Sequence, residues 1–182
     1  MALPSAPVAR TLKHTRTIQV DAYQRDDGLF DLEARLTDTK AYKVDLLSGR
    51  ELLPGECIHD LSIRVTINEQ LDVVDVAAVS DAVPNPGVCE TIAPAYGQLV
   101  GLNLLRSFRR EVKSRMGRTS GCTHLSELTS VLPTAALQAF GSIVFRQREN
   151  AGPPFFIDQC HAYDRGGKIV REHYPQWFVS RD

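Results

Sequence analysis

The seven residues from Leu61 to Ile67 alternate without a break, with Leu61, Ile63, Val65 and Ile67 on one side and Ser62, Arg64 and Thr66 on the other. Successive strand side chains point to opposite faces, so this pattern describes a strand with one buried face and one wet one, as in an antiparallel sheet. After the polar break Asn68-Glu69-Gln70, the run from Leu71 to Val79 sets Val74, Val76 and Ala78 on one side and pairs with the first strand as a hairpin. Pro84-Asn85-Pro86-Gly87 then stops the sheet. A second hairpin lies upstream. Ile18, Val20 and Ala22 share a face, Asp26-Asp27-Gly28 makes the turn, and Phe30, Leu32, Ala34 and Leu36 alternate with polar residues. The aspartate-glycine pair accepts the positive φ that tight hairpin turns need. Beyond it, Asp38 to Tyr42 continues or bends the strand into a looser stretch containing Ser48-Gly49 and Pro54-Gly55.

Past Cys89 the period changes. Ile92 to Leu99 reads as a short helix, and Leu105, Phe108, Val112 and Met116 recur at helical spacing until Gly117 stops them. Leu125, Leu128, Leu132, Ala136 and Ala139 form a third helical stripe that starts near Cys122 and that Pro133 should interrupt or kink. Phe155 to Tyr163 and Lys168 to His173 read as strands around Asp164-Arg165-Gly166-Gly167, ahead of an aromatic end from Tyr174 to Phe178. Strands first, helices second and short strands last predict an α+β fold in which an antiparallel sheet packs on helices. With 182 residues, 43% of them hydrophobic, the expected organisation is one domain over residues 14–182 behind a flexible arm over residues 1–13.

A formal charge of -1 supplies no global field toward nucleic acid or an anionic membrane. The segment Met1 to Arg10, with Pro4 and Pro7, lacks the apolar stretch of a secretory signal, and no apolar run is long enough to span a bilayer, so the expected compartment is the cytoplasm. Cys57, Cys89, Cys122 and Cys160 contain no C-x-x-C pair, which argues against a zinc ribbon and fits a reduced compartment.

The candidate site is a set of reactive residues at predicted element ends: His59-Asp60 before one strand, Cys89 after its hairpin, and Cys122-Thr123-His124 opening a helix. A cysteine at a helix start gains thiolate character from the N-terminal amides. His59 or His124 would act as general base with Asp60 orienting it, and a cysteine as nucleophile or wall. Imidazole, thiolate and carboxylate are also donors that zinc or iron accepts, with His59, Cys89 and Cys122 as ligands. Asp38 and Lys40 are two apart and share a face, either as an exposed charge pair of little worth or as a polar pocket wall with catalytic groups. The helix carrying Arg106, Arg109, Arg110, Lys113 and Arg115 offers Arg109 and Arg110 to an anionic substrate such as a phosphate or coenzyme A tail, or is simply solvated. Tyr42, Tyr174 and Trp177 supply an apolar wall. Cys160 and His161, adjacent on a predicted strand, would not serve one site jointly.

The strings His14-Thr15-Arg16, Tyr23 to Asp31, Leu36 to Lys40, His59-Asp60 and Gly121 to Leu125 resemble the bacterial family called domain of unknown function 2889. That resemblance covers nearly the whole chain and implies a bacterial cytosolic protein, often of catabolic organisms, without supplying an active site. A weaker resemblance, over roughly Cys57 to Phe140, is to NifU-like iron-sulfur scaffold proteins, with His59-Asp60 near the first cysteine string, Cys89 near the second cysteine and Cys122 near the third. It implies a NifU-like core extended by the N-terminal hairpin and the C-terminal strands.

The expected function is proton-transfer chemistry of lyase, isomerase or hydrolase type on an aromatic or acyl small molecule, with no cofactor or with one zinc or iron ion. The alternatives are a metal-binding or iron-sulfur or sulfur-carrier scaffold that docks with protein partners, and a non-catalytic subunit or homodimer. Neither nucleic acid nor membrane is an expected partner.

Overall fold

The structure is a computed structural model that describes residues 3–144 and 152–180. The chain divides into two compact units, one running to Ala139 and the other from Phe140 onward, and each is described by itself.

The first unit is built on four antiparallel strands, β1 (His14–Gln24), β2 (Phe30–Lys40), β5 (Cys57–Ile67) and β6 (Val73–Ala82), in the order β1-β2-β5-β6. A two-stranded hairpin, β3 (Val44–Asp45) with β4 (Glu51–Leu52), occupies the stretch that the sequence leaves loose. The first hairpin turns where Asp27-Gly28 predicts: Gly28 has φ +84°, and the Leu29 N–H donates to the Asp27 carboxylate at 3.3 Å. Alternation decides which face is dry. Phe30, Leu32, Ala34 and Leu36 of β2 and Leu61, Ile63, Val65 and Ile67 of β5 are each at most 2% exposed, and they are register partners across the sheet. Removing the larger of these side chains, all but Ala34, from water contributes roughly 1.5–3 kcal/mol each, which sets the parity of both strands firmly.

Helices cover this face. A 3₁₀ segment over Cys89–Leu99 follows β6, then α1 (Phe108–Met116) and α2 (Thr123–Val144). Leu125, Leu128, Leu132 and Ala136 repeat at helical spacing and are fully buried, as are Tyr96 and Leu99. The architecture is the expected α+β one, an antiparallel sheet packed on helices. Among the described residues no helix is long and apolar enough to cross a membrane.

Three expectations give way. Pro133 does not interrupt α2, which runs through it with Pro133 inside the helix; the neighbouring turns and the burial of Leu132 and Ala136 outweigh one missing backbone hydrogen bond. Val74 does not share the face of Val76 and Ala78 in equal depth, because the ladder slips between Thr66 and Ile67 and hands the core position to Val73, which is 1% exposed against 41% for Val74. The C-terminal strands are absent among the described residues. In the second unit His161–Tyr163 is a 3₁₀ turn and Lys168–His173 is a helix, α3. Asp164 folds the turn ahead of that helix, its carboxylate accepting from Gly166 N–H at 2.8 Å and its carbonyl from Gly167 N–H at 2.7 Å; Gly167 caps the helix, and with no partner strand among the described residues the short apolar pair Ile169-Val170 coils instead of extending.

Candidate functional site

At the end of the dry face the apolar pattern of β2 is broken by a carboxylate. Asp38 follows Leu36 at strand parity and is 2% exposed. Its register partners are Arg16 on β1 and His59 on β5, so three polar side chains lie side by side across three strands. The ladder then shifts between Asp38 and Thr39, where an extra residue of β5 is accommodated, a distortion that commonly re-aims side chains beside sites. The first turns of α2 lay His124 and Glu127 over this row.

The contacts leave Asp38 fully subscribed. Oδ1 accepts from His14 Nε2 at 2.7 Å and from Arg16 Nε at 2.8 Å, while Oδ2 accepts from an Arg16 Nη at 2.8 Å and from His59 Nδ1 at 3.1 Å. The Arg16 contact is therefore two-pronged, the geometry that suits guanidinium to carboxylate. Its remaining Nη donates to Glu127 at 2.5 Å, tying β1 to α2. His124 Nε2 stands 3.7 Å from Asp38 Oδ2, and the His59 and His124 rings stack with centroids 3.8 Å apart. Cys122 Sγ lies 3.9 Å from His124 Nδ1. The start of α2 is itself anchored: the buried Tyr96 hydroxyl donates to the Cys122 carbonyl at 2.8 Å and accepts from the Cys122 N–H at 3.0 Å.

Charge follows from this geometry. Burial opposes ionisation of Asp38, but the Arg16 and His14 hydrogen bonds and the Arg16 charge outweigh it and hold the carboxyl well below its usual range. Arg16 is pushed up in turn, chiefly by its hydrogen bond to Asp38. His59 is pushed down, first by burial and then by the neighbouring His124, against the pull of Asp38. His124 is also lowered, by burial and by the Arg16 charge. At neutral pH the site thus holds an ionised carboxylate, a guanidinium and two stacked neutral imidazoles. Because Asp38 can only accept, the His59 proton sits on Nδ1, and the lone pair on Nε2 has no partner among the described residues. For metal chemistry, Asp38, His59 and His124 each offer a donor atom, and those atoms lie within 4.8 Å of one another.

Of the residues the sequence singles out, the structure joins Asp38, His59, Cys122 and His124. Asp60 does not orient His59. β5 begins at Cys57 rather than at Leu61, so His59 and Asp60 are adjacent within a strand and face opposite ways; Asp60 pairs with Arg35 on the wet face at 2.6 and 2.8 Å. Asp38 is a buried centre, not half of an exposed pair with Lys40, which is half-buried at the strand end. Cys89 is outside the donor group: its thiol meets Asn85 Nδ2 at 3.9 Å at the head of the 3₁₀ segment. Tyr42 is 46% exposed beneath the Lys13 ammonium. Arg109 donates to the Ser130 carbonyl at 2.9 Å, and exposed Arg110 pairs with Glu111 at 3.6 Å. In the second unit Tyr174 packs on Phe156 and Tyr163, and Trp177 is half-buried in a 3₁₀ turn.

Four residues escaped the sequence reading of the site: His14, Arg16, Glu127 and Tyr96. Parity was the available signal for two of them, since His14 and Arg16 continue the same face as Ile18 and Val20, and for Glu127 the signal was its place one turn beyond His124.

A family described as "Protein of unknown function (DUF2889)" matches residues 14–138. No curated protein and no solved structure matches the chain, so the weaker resemblance to iron-sulfur scaffolds gains no support. The matched span opens on the first residue of β1 and reaches into α2, enclosing every member of the Asp38 cluster. With well over half of its length matched, the chain belongs to the DUF2889 family.

Proposed function

We propose that the chain is a cytoplasmic catabolic enzyme that moves a proton on an aromatic or acyl small molecule, of lyase, isomerase or hydrolase type. The observation that carries this reading is the Asp38–His59 pair with His124 stacked upon it. His59 Nε2 takes the proton. Asp38, held ionised by Arg16, fixes the tautomer that presents this lone pair and stabilises the imidazolium that forms. Two stacked rings do not both carry charge readily, so while His59 is protonated His124 stays neutral and serves as the partner for a second transfer. Burial keeps both imidazoles neutral and ready at neutral pH. Four free cysteines support the assignment to a reducing compartment.

The test reads proton abstraction without presuming the net reaction. Wild type and His59→Gln are incubated in D₂O with a panel of aromatic acids and acyl thioesters, and deuterium uptake is followed by mass spectrometry. Uptake at one carbon of one class, lowered about 100-fold or more in His59→Gln, is the expected result. Uptake that is the same in both proteins removes His59 from the chemistry.

A further inference from the structure

We infer that Asp38, His59 and His124 form a binding site for one divalent first-row metal ion, with zinc as the best-matched probe; the inference concerns the same cluster as the proton-transfer reading but stands apart from it, because the metal-bound tautomer carries its proton on His59 Nε2, the atom that reading uses as base.

The argument begins with distances. Tetrahedral zinc with bonds of about 2.1 Å sets its ligand atoms about 3.4 Å apart, and six-coordinate geometry sets neighbouring ligands about 3.0 Å apart. Asp38 Oδ2 stands 3.1 Å from His59 Nδ1 and 3.7 Å from His124 Nε2, values on either side of the tetrahedral figure. All three donors lie within 4.8 Å of one another, so side-chain rotations of about an ångström close the set without moving a strand. The backbone already supplies the placement. Asp38 and His59 are register partners on adjacent strands, and His124 comes from the first turn of α2, so the three ligands sit on three separate elements that packing holds rigidly.

The surroundings match what a metal ligand needs behind it. Asp38 is oriented through Oδ1 by His14 and Arg16, and His124 has the Cys122 thiol beside its other ring nitrogen; partners of this kind fix ligands and tune their basicity. The imidazole side chains are 16% and 23% exposed, so the ion would meet solvent on one side and keep positions open for water or a small ligand. Two nitrogens and one carboxylate oxygen are a borderline donor set that suits zinc, iron(II) or cobalt(II) better than calcium or magnesium, which prefer oxygen cages. Binding replaces one hydrogen bond. The His59 proton moves from Nδ1 to Nε2, the freed Nδ1 lone pair turns to the ion, and Asp38 Oδ2 exchanges its His59 contact for the metal while keeping Arg16. The ligand set differs from the one the sequence suggests: Asp38 and His124 replace Cys89 and Cys122 beside His59.

The experiment is calorimetric titration of zinc into the full, chelator-treated chain, alongside His59→Gln, His124→Gln, Cys122→Ser and Cys89→Ser, with circular dichroism confirming that each is folded. The expected result is one zinc per chain, affinity lowered by about 100-fold or more in each histidine variant, and one-to-one binding kept in both cysteine variants. His124 makes no close hydrogen bond to Asp38, so His124→Gln tests the site with little risk to folding. Absence of one-to-one binding at micromolar zinc overturns the inference, and so does binding that survives both histidine variants or that falls only with the cysteines. Deuterium uptake measured in the chelator keeps the two readings apart: uptake without zinc binding leaves proton transfer standing and removes the metal site.

Discussion

Replacing Asp38 by asparagine tests whether the cluster is a structural as well as a chemical centre. Asn has nearly the same volume, so no cavity enters the comparison. Asp38 accepts four hydrogen bonds, two of them from one guanidinium, and asparagine keeps one acceptor oxygen while turning an NH₂ toward the donors on the other side. Hydrogen bonds to charged groups contribute about 1.5–3 kcal/mol each. Half of the acceptor set is lost, and the share owed to Arg16 shrinks because that side chain is 30% exposed and screened. The expected loss is about 3 kcal/mol at pH 7. The pH dependence sharpens the test. Folding lowers the Asp38 pKa from an ordinary value near 3.8, so its contribution is complete above that value and fades as pH falls, because the unfolded chain takes up the proton first. Between pH 7 and pH 3 the gap between wild type and Asp38→Asn should narrow by about 1 kcal/mol. Urea unfolding followed by circular dichroism at both pH values measures it. A gap under about 1 kcal/mol at pH 7, or one that widens on acidification, refutes the reasoning.

Two further outcomes follow from the same geometry. His59 is neutral in the fold because burial lowers its pKa below 6.5, so its share of stability is present above that value and is lost as the unfolded chain protonates below it; between pH 7 and pH 5 wild type should lose more stability than His59→Gln in urea unfolding, and parallel curves would count against a lowered pKa. Tyr96→Phe removes the hydroxyl that both accepts from and donates to the Cys122 backbone, with an expected loss of about 1–3 kcal/mol in thermal or urea unfolding; a change below about 0.5 kcal/mol would mean water replaces it freely.

The alternation that dictates β2 and β5 is written in the chain because one face of each is dry, and Asp27-Gly28 marks its turn for the same local reason. At two places parity competes with a stronger local signal. Asp38 falls on the buried phase of β2, yet its charge and the nearby Lys40 suggest a solvated pair, and only the arrival of Arg16 and His14 from β1 makes a buried carboxylate affordable. His59 and Asp60 look like a working pair because they are adjacent, but the strand starts two residues before His59, where Cys57 and Ile58 show no alternation to announce it. Partnership across 86 residues, as between Asp38 and His124, is a tertiary fact with no local signature. The tail is helical rather than extended because a few β-prone residues have no strand character without a neighbour to pair with.

β1 lies at the edge of the sheet, exposed along most of its length, with only Ile18 and Val20 half-buried. Its hold on the fold is therefore the ladder to β2 together with the polar clasp in which His14 and Arg16 grip Asp38 and Arg16 reaches Glu127. Strands with so little apolar anchorage open before the rest of a domain does. When this one opens, Asp38 loses its guanidinium, the potential at the two imidazoles becomes more negative, and the cover on one side of the cluster lifts in the same motion. Amide exchange along residues 14–24 would thus report on the electrostatic state of the site, and a ligand that favours the ionised carboxylate would slow exchange in a strand it never touches.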